Sequence, residues 1–489
     1  MVFHPLSIIK SVLDPVHGLV RLTVEELKVI NSPIFQRLRR IKQNGMLHYV
    51  FPAATHTRFE HSIGALYVAD SVLESLYLNS KVAATKGEVG VKENEAFDLT
   101  SLEKSRTEFL FRTARLAALS HDLGHGPLSH TFEGFAPAAD AVAELVRNHK
   151  AQHIKALAEI VTKFAEHGRV SHESMSCLLF ALLWYRLSPE DTKTAGAVSA
   201  AILGEPDLAP EHKDLIPLIN DIIASGPADA DRMDYLERDT RSFGVSYGLY
   251  DRDRLLKSML CYLDTAKEPR LGFKSSGFRA IENFVQARFE LFVQVYFHKT
   301  NRAIELMLGR IAKLASEKKL AVMRQGSLED LVSDYSTMGD DEFVDILRGV
   351  KESSVKDKDI HDLASRVYLR NLWRRVEDFR EASVEEAAEK EFLERLSAQF
   401  KDVEFAPDVV EPKATKDLAS GAALLFRDGD GVYRKRTGLS WSEESPIIKT
   451  LSEQEKKISR IYYCGDDAAL ARKIRLEALK LEPSFREKK

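Results

Sequence analysis

His121-Asp122-Leu123-Gly124-His125-Gly126-Pro127-Leu128-Ser129-His130 places three imidazoles and a carboxylate within ten residues, directly after the apolar run Ala114-Arg115-Leu116-Ala117-Ala118-Leu119. Imidazole together with carboxylate suits a borderline divalent ion. Neighbouring residues on a helix point about 100° apart, so His121 and Asp122 can meet one ion only at its edge. The remaining ligands have to come from elsewhere in the chain.

Two stretches can supply them. Arg58-Phe59-Glu60-His61-Ser62 opens a helix-patterned segment, with His61 lying 60 positions before His121 (121 − 61). Ala228-Asp229-Ala230-Asp231-Arg232-Met233-Asp234-Tyr235 packs three carboxylates into six residues. Taken singly, His61 reads as a hydrogen-bonded core or surface histidine and the aspartates as a solvated helix start or N-cap. Their presence in one chain, in this order around His121-Asp122, points instead to an ion gathered from three helices of a bundle.

Bulk composition narrows the class. A chain of 489 residues exceeds one compact core, so a large domain with a smaller lobe is expected. Lys+Arg is 70 against Asp+Glu 74, a balance of −4, which leaves no overall basic field to attract nucleic acid. No apolar run of about 18 residues is present, which argues against a membrane span. The start Met1-Val2-Phe3-His4-Pro5 shows no secretory pattern, and Cys177, Cys261 and Cys464 form no C-x-x-C pair, so a cytoplasmic location is expected.

The first 380 residues read mostly as helices, with apolar residues at helical spacing in 63–73, 175–185, 215–224 and 284–308. β-Branched alternation is scarce, and the predicted class is mainly α, a helical bundle. The polar stretch 81–104 and the Ala, Gly and Pro mixture at 195–213 read as inserted or surface segments, and 377–396 reads as an exposed, charge-rich helix. Beyond about 401 the pattern changes: 422–426 and 458–464 look like strands, and 466–481 like a terminal helix. Asp428-Gly429-Asp430-Gly431 reads as a hairpin turn, because it lacks the 12-residue spacing of a calcium loop. The predicted organisation is a core over 1–385 and a small α+β C-terminal lobe over 386–489.

At this point the chain resembles a known family. His61, His121-Asp122 and Asp231 reproduce the H…HD…D pattern of the HD-domain metal-dependent phosphohydrolases. Asp14-Pro15-Val16-His17-Gly18, Phe35-Gln36-Arg37-Leu38-Arg39, Asp231 through Asp239 and Tyr296-Phe297-His298-Lys299 resemble the deoxynucleoside triphosphate triphosphohydrolases of the sterile-alpha-motif-and-HD type. The likeness runs from about residue 14 to 310 and continues weakly at Arg370-Asn371-Leu372, with no sterile-alpha-motif domain expected ahead of Asp14.

The resemblance implies an HD-domain helical bundle. It also implies hydrolysis of dNTPs, dGTP among them, to deoxynucleoside and inorganic triphosphate. Its cofactor would be one divalent metal ion (Mg, Mn, Fe, Ni or Zn not distinguished) on His61, His121, Asp122 and Asp231. His125 and His172, with His130 as a third, would handle protons, since histidine titrates near neutral pH. Arg58, Arg232 and Arg288 would clamp phosphate, Arg232 standing where relatives carry lysine. Tyr235 would bond phosphate or sugar, Tyr296 would press on the sugar C2′ edge, and Gln43 and Asp239 would read the 3′-hydroxyl. Asn44 replaces an apolar residue beside the sugar, and Phe292 replaces a histidine near the base. An activating nucleotide would meet Gln36, Arg39, Arg254 and Lys299, but Asn31 stands in place of the acid that pairs with guanine, so weakened or altered activation is expected. A homodimer or homotetramer is implied. The alternatives are an HD-family phosphodiesterase or nucleotidase for another nucleotide, or a non-catalytic nucleotide sensor.

Overall fold

A computed structural model describes residues 4–320, 322–324, 326–351, 355–379, 386–411, 423–436, 441–454 and 458–481. Its centre is helix Arg58–Thr85, whose buried residues Ile63, Leu66, Val68, Ala69, Val72, Leu73 and Leu76 face all round. A helix apolar on every side belongs inside a bundle, and this one packs against helices Lys104–Ser120 and Ala230–Phe243. Those three elements carry His61, His121 and Asp231 to one place. The mainly α class stands.

Nine strands are described, in three small sheets. The chain opens with a hairpin of β1 (Lys10–Asp14) and β2 (Gly18–Leu22), paired from Lys10↔Leu22 to Asp14↔Gly18. β3 (Met259–Leu263) and β4 (Pro269–Lys274) form a second hairpin. β5 (Arg374–Phe379), β6 (Phe405–Val410), β7 (Ala423–Arg427), β8 (Tyr433–Lys435) and β9 (Ile458–Tyr463) follow. The sheet orders are β3-β4-β7-β8 and β5-β9-β6. Residues past 386 therefore divide between a sheet begun at 259 and one begun at 374. Helices Glu386–Gln399 and Ala468–Leu481 contribute Phe392, Leu396, Ile474 and Ala478 to a small apolar cluster with Val376, Ile461 and Tyr463 of β5 and β9.

Several expectations are corrected. The stretch 377–396 is not one helix, because Glu377 belongs to β5 and the helix begins at Glu386; residues 380–385 lie outside the described residues. The stretch 195–213 is no surface excursion at its start: Ala195, Ala197, Val198, Ala200 and Ala201 are buried in helix Thr192–Leu203, where small side chains allow close packing. The 284–308 segment is two helices, Phe278–Leu291 and Lys299–Glu317, joined by a π-helical turn at Phe292–Tyr296. The polar 81–104 segment is tied down by bridges Ala96↔Tyr262 and Glu95↔Arg434. β3 escaped notice because all five of its residues are buried, which erases the in–out alternation. The turn at Asp428–Gly431 does join β7 to β8, and residue 422 lies outside the described residues. Among the described residues no helix is long and apolar enough to cross a membrane.

Candidate active site

The helix start at Arg58 decides where His61 goes. Glu60 Oε2 accepts from the Thr57 backbone N–H at 2.6 Å, a cap that fixes the first turn. His61 then points inward and is fully buried. His121 caps the C-terminus of helix Lys104–Ser120, so Asp122 already lies in a turn, free of the 100° helical offset assumed from sequence. The aspartates after Ala228 divide three tasks. Asp229 is the N-cap, accepting from Arg232 N at 2.8 Å. Asp231 faces the histidines, and Asp234 accepts from His61 Nδ1 at 2.8 Å. The cap reading applies to Asp229 and not to Asp231.

The four residues converge. His61 Nε2 is 3.3 Å from His121 Nε2, 3.1 Å from Asp231 Oδ1 and 3.5 Å from Asp122 Oδ2. His121 Nε2 is 3.4 Å from Asp122 Oδ1 and 3.7 Å from Asp231 Oδ1. Hydrogen bonds at the far nitrogens settle the tautomers. His61 Nδ1–H donates to a carboxylate, and His121 Nδ1–H donates to the Ala118 carbonyl at 2.8 Å. Both Nε2 atoms therefore face each other, an arrangement that repels unless a metal ion or a proton lies between them. His61, His121 and Asp122 form a group that can hold a divalent ion, and Asp231 Oδ1 lies within 3.7 Å of both histidines.

Electrostatics agrees with a cation-seeking site. Burial pushes His61 down, but Asp231 and Asp234 outweigh it and raise it to about 10. Burial pushes Asp231 up, yet His121 and His61 hold it far below the usual carboxylate range. Asp122 is likewise held low against its burial, by Arg58, His121 and His125.

A second histidine group adjoins the first. His125 stacks on His172 with ring centroids 3.8 Å apart and planes 22° from parallel. His125 Nε2 is 3.3 Å from Asp122 Oδ1, and its buried Nδ1 has no hydrogen-bond partner among the described residues. Gly124 makes the stacking possible: a Cβ there would lie 2.3 Å from the His172 carbonyl oxygen and the Ser176 N–H nitrogen. Glu133, which sequence reading missed, accepts from both His130 Nδ1 and His172 Nδ1 at 3.0 Å. It raises His172 against the opposing effect of burial, while its own carboxyl is drawn down to about 2 by His130 and His172 despite burial. His130 is 70% exposed at the rim.

The backbone of this loop is held from below. Leu128 and Ser129 both have positive φ (59° and 57°), a conformation that costs about 1–3 kcal/mol per residue. Asp340 bonds Leu128 N at 2.8 Å and Lys42 N at 2.9 Å. Arg37, fully buried and also missed, donates through Nη2 to the carbonyls of Leu123 (2.7 Å) and His125 (2.8 Å). Burial lowers its guanidinium to about 10.

These groups open into a cavity of about 430 Å3. Its walls include all seven residues expected to meet substrate: Gln43, Arg58, Arg232, Tyr235, Asp239, Arg288 and Tyr296. Arg58 is turned onto Asp122 and Ser129, and Arg232 onto Asp229 and the Gly226 carbonyl. Asp239 accepts from Tyr296 Oη and His56 Nε2, both at 2.6 Å, and from Asn44 Nδ2 at 3.0 Å. Gln43 Oε1 is buried with no hydrogen-bond partner among the described residues. The Phe292 ring lies 5.1 Å from Tyr296.

Of the four residues expected to meet an activating nucleotide, two contact each other. Arg39 Nε donates to Gln36 Oε1 at 2.9 Å, and its guanidinium lies 3.5 Å from the centre of the Phe59 ring. Arg254 donates to the Ser276 carbonyl. Lys299 lines a separate cavity of about 400 Å3 with Arg370, Arg374, Arg375 and Arg475.

No family model matches the chain. The human deoxynucleoside triphosphate triphosphohydrolase SAMHD1 is 27% identical over 383 residues, 75% of this chain and 55% of that protein. An uncharacterized protein of Methanocaldococcus jannaschii is 29% identical over 323 residues, 66% of this chain and 53% of that protein. This chain resembles the HD-type phosphohydrolases. A hypothetical protein from Aquifex aeolicus has a similar structure, with TM-score 0.61 and 28% identity over 96% of this chain and 99% of its own. A phosphohydrolase from Bacteroides thetaiotaomicron shares the fold, with TM-score 0.59 and 24% identity over 94% of this chain and 100% of its own. The chain spans about half the length of the curated relatives it matches. These relatives support a hydrolase of the HD type.

Proposed function

We propose that this chain hydrolyses dNTPs to deoxynucleoside and inorganic triphosphate, using one divalent ion on His61, His121, Asp122 and Asp231. One observation carries the reading: His121, Asp122 and Asp231 line one cavity together with Arg232, Arg288, Tyr235, Asp239 and Tyr296. Cationic, phenolic and acceptor groups in one cavity suit a substrate with a polyanionic end and a sugar end. When bound, the ion supplies Lewis-acid polarisation of a phosphoryl oxygen.

The chain's own residues supply the rest. Arg232 and Arg288 neutralise the phosphates, and Tyr235 beside them donates a hydrogen bond. Asp239 accepts from the sugar hydroxyl while Tyr296, tied to Asp239, blocks the C2′ edge. Water attacks the α-phosphorus, the bond from phosphorus to the sugar O5′ breaks, and that oxygen takes up a proton. His172, kept charged by Glu133, is the proton source; His125 orients it by stacking, and His130 relays protons at the rim. Product analysis across a dNTP panel with Mg, with Mn and without metal tests this. Release of tripolyphosphate is expected, and release of monophosphate would replace the reading with a phosphodiesterase or nucleotidase acting on another nucleotide. The hold of Asp122 on Arg58, which takes one cation from the phosphates, favours that second reading.

Activation is proposed to be weak, because Gln36 and Arg39 bond each other and Asn31 brings no acid. Equal dNTP turnover with and without GTP or dGTP is the expected result, and strict GTP dependence would overturn it. A cytoplasmic homodimer or homotetramer completes the proposal.

A further inference from the structure

The Asp14-Pro15-Val16-His17-Gly18 motif takes no part in the scheme above, yet its histidine lies two hydrogen bonds from a metal-site residue. Arg252 Nη1 is 2.8 Å from His17 Nδ1. A guanidinium can only donate, so His17 Nδ1 accepts and its proton sits on Nε2. His17 Nε2–H then donates to Asp234 Oδ1 at 2.6 Å. The other oxygen of that carboxylate accepts from His61 Nδ1 at 2.8 Å. Every link has one permitted direction, and the last one leaves His61 Nε2 facing Asp231, His121 and Asp122.

The surroundings hold this line in place. Arg238 donates to both oxygens of Asp234 at 2.9 Å and pairs with Asp14 at 3.0 Å. Asp14 Oδ1 accepts from the backbone N–H groups of Val16 and His17 at 2.9 Å, which shapes the β1–β2 turn that presents His17. The His17 ring stacks on Tyr67, with centroids 4.9 Å apart and planes 12° from parallel. Tyr67 stands on the same helix as His61. Gly64 lies between them, where a Cβ would sit 1.9 Å from Asp234 Oδ1 and 2.2 Å from Arg238 Nη2. His17, Asp234, Arg238 and Asp14 are all buried.

We infer that Arg252, His17 and Asp234 are positioning residues that hold His61 in its ligand tautomer and orientation, so that the N-terminal hairpin sets the affinity of the metal site. The inference rests on reading His61, His121, Asp122 and Asp231 as that site. Partners of this kind typically account for 10- to 100-fold in metal affinity.

The test is Mn(II) binding to the metal-stripped full chain by isothermal titration calorimetry, with the melting temperature of each metal-free protein recorded alongside. His17→Phe keeps a ring against Tyr67 and loses both polar contacts, and about 10- to 100-fold weaker binding is expected. His17→Gln keeps an amide donor for Asp234 and is expected to recover most of that loss. Arg252→Met leaves the hairpin ring in place and frees Nδ1, and it serves if His17→Phe does not fold. Weaker binding, by severalfold, is expected there. Unchanged Mn(II) affinity in the folded His17→Phe or Arg252→Met protein would overturn the inference while leaving dNTP hydrolysis intact. Release of a product other than tripolyphosphate by the wild type would overturn the activity and leave the inference standing. Failure of the wild type to bind Mn(II), Co(II) or Zn(II) would overturn the inference together with the metal reading.

Discussion

Two pairs of histidines lie side by side in this protein and are prepared for different work. His61 and His121 point Nε2 at each other across 3.3 Å, and each far nitrogen is occupied by an oxygen acceptor. His125 and His172 instead lie face to face, with Nδ1 of His125 unpartnered among the described residues and Nδ1 of His172 on Glu133. In the first pair, the Nδ1 bonds aim both Nε2 atoms inward, as the proposed ion requires. In the second, the rings stack, and Glu133 and Glu173 face the two nitrogens of His172, holding a proton on that ring. What separates a ligand from a proton carrier is the partner of the nitrogen that does not face the chemistry.

Asp122→Ala should give the largest effect: turnover falls to background and bound metal is lost, while helical circular dichroism is unchanged. Retained metal and activity would break the comparison at its first member. His125→Ala should lower kcat by about 10²- to 10⁴-fold and leave metal stoichiometry as it was. Loss of the ion in that variant, measured by elemental analysis, would merge the two groups into one.

Glu133→Gln tests the second pair alone. Burial lowers His172 and Glu133 raises it above the ordinary value, so the charged form persists to higher pH in the wild type. Without that carboxylate the alkaline limb of the kcat profile should move to lower pH, with little change on the acid side. An unmoved limb would remove His172 as proton source. Tyr296→Phe should be smallest: Asp239 keeps His56 and Asn44 but loses one donor, worth about 1 kcal/mol and read as a severalfold rise in KM for dNTP.

The proposed four-residue metal group was legible as a candidate because its residue types are unusual for apolar helices and recur in a recognisable order. Its local geometry was not. Whether Asp229, Asp231 or Asp234 is the cap depends on where the helix begins, and periodicity alone does not say. Glu133 is an ordinary acid in the run Ser129–Phe135 until the His172 helix folds over it. The bond from His17 to Asp234 spans 217 positions and leaves no local pattern. The strand β5, Arg374-Arg375-Val376-Glu377-Asp378-Phe379, carries four charges in six residues, and its second half falls in the stretch 377–396 that reads as exposed helix. Its pairing with β9 is a tertiary choice.

The tie between the β1–β2 turn and His61 also runs in reverse. If the hairpin tightens the hold on an ion, the ion must tighten the hairpin by the same free energy, because linkage is reciprocal. Metal loading would then act as a clasp on the N-terminal strands. Amide exchange at residues 10–22 should slow when Mn(II) is added and quicken when it is chelated, although those residues never touch the ion.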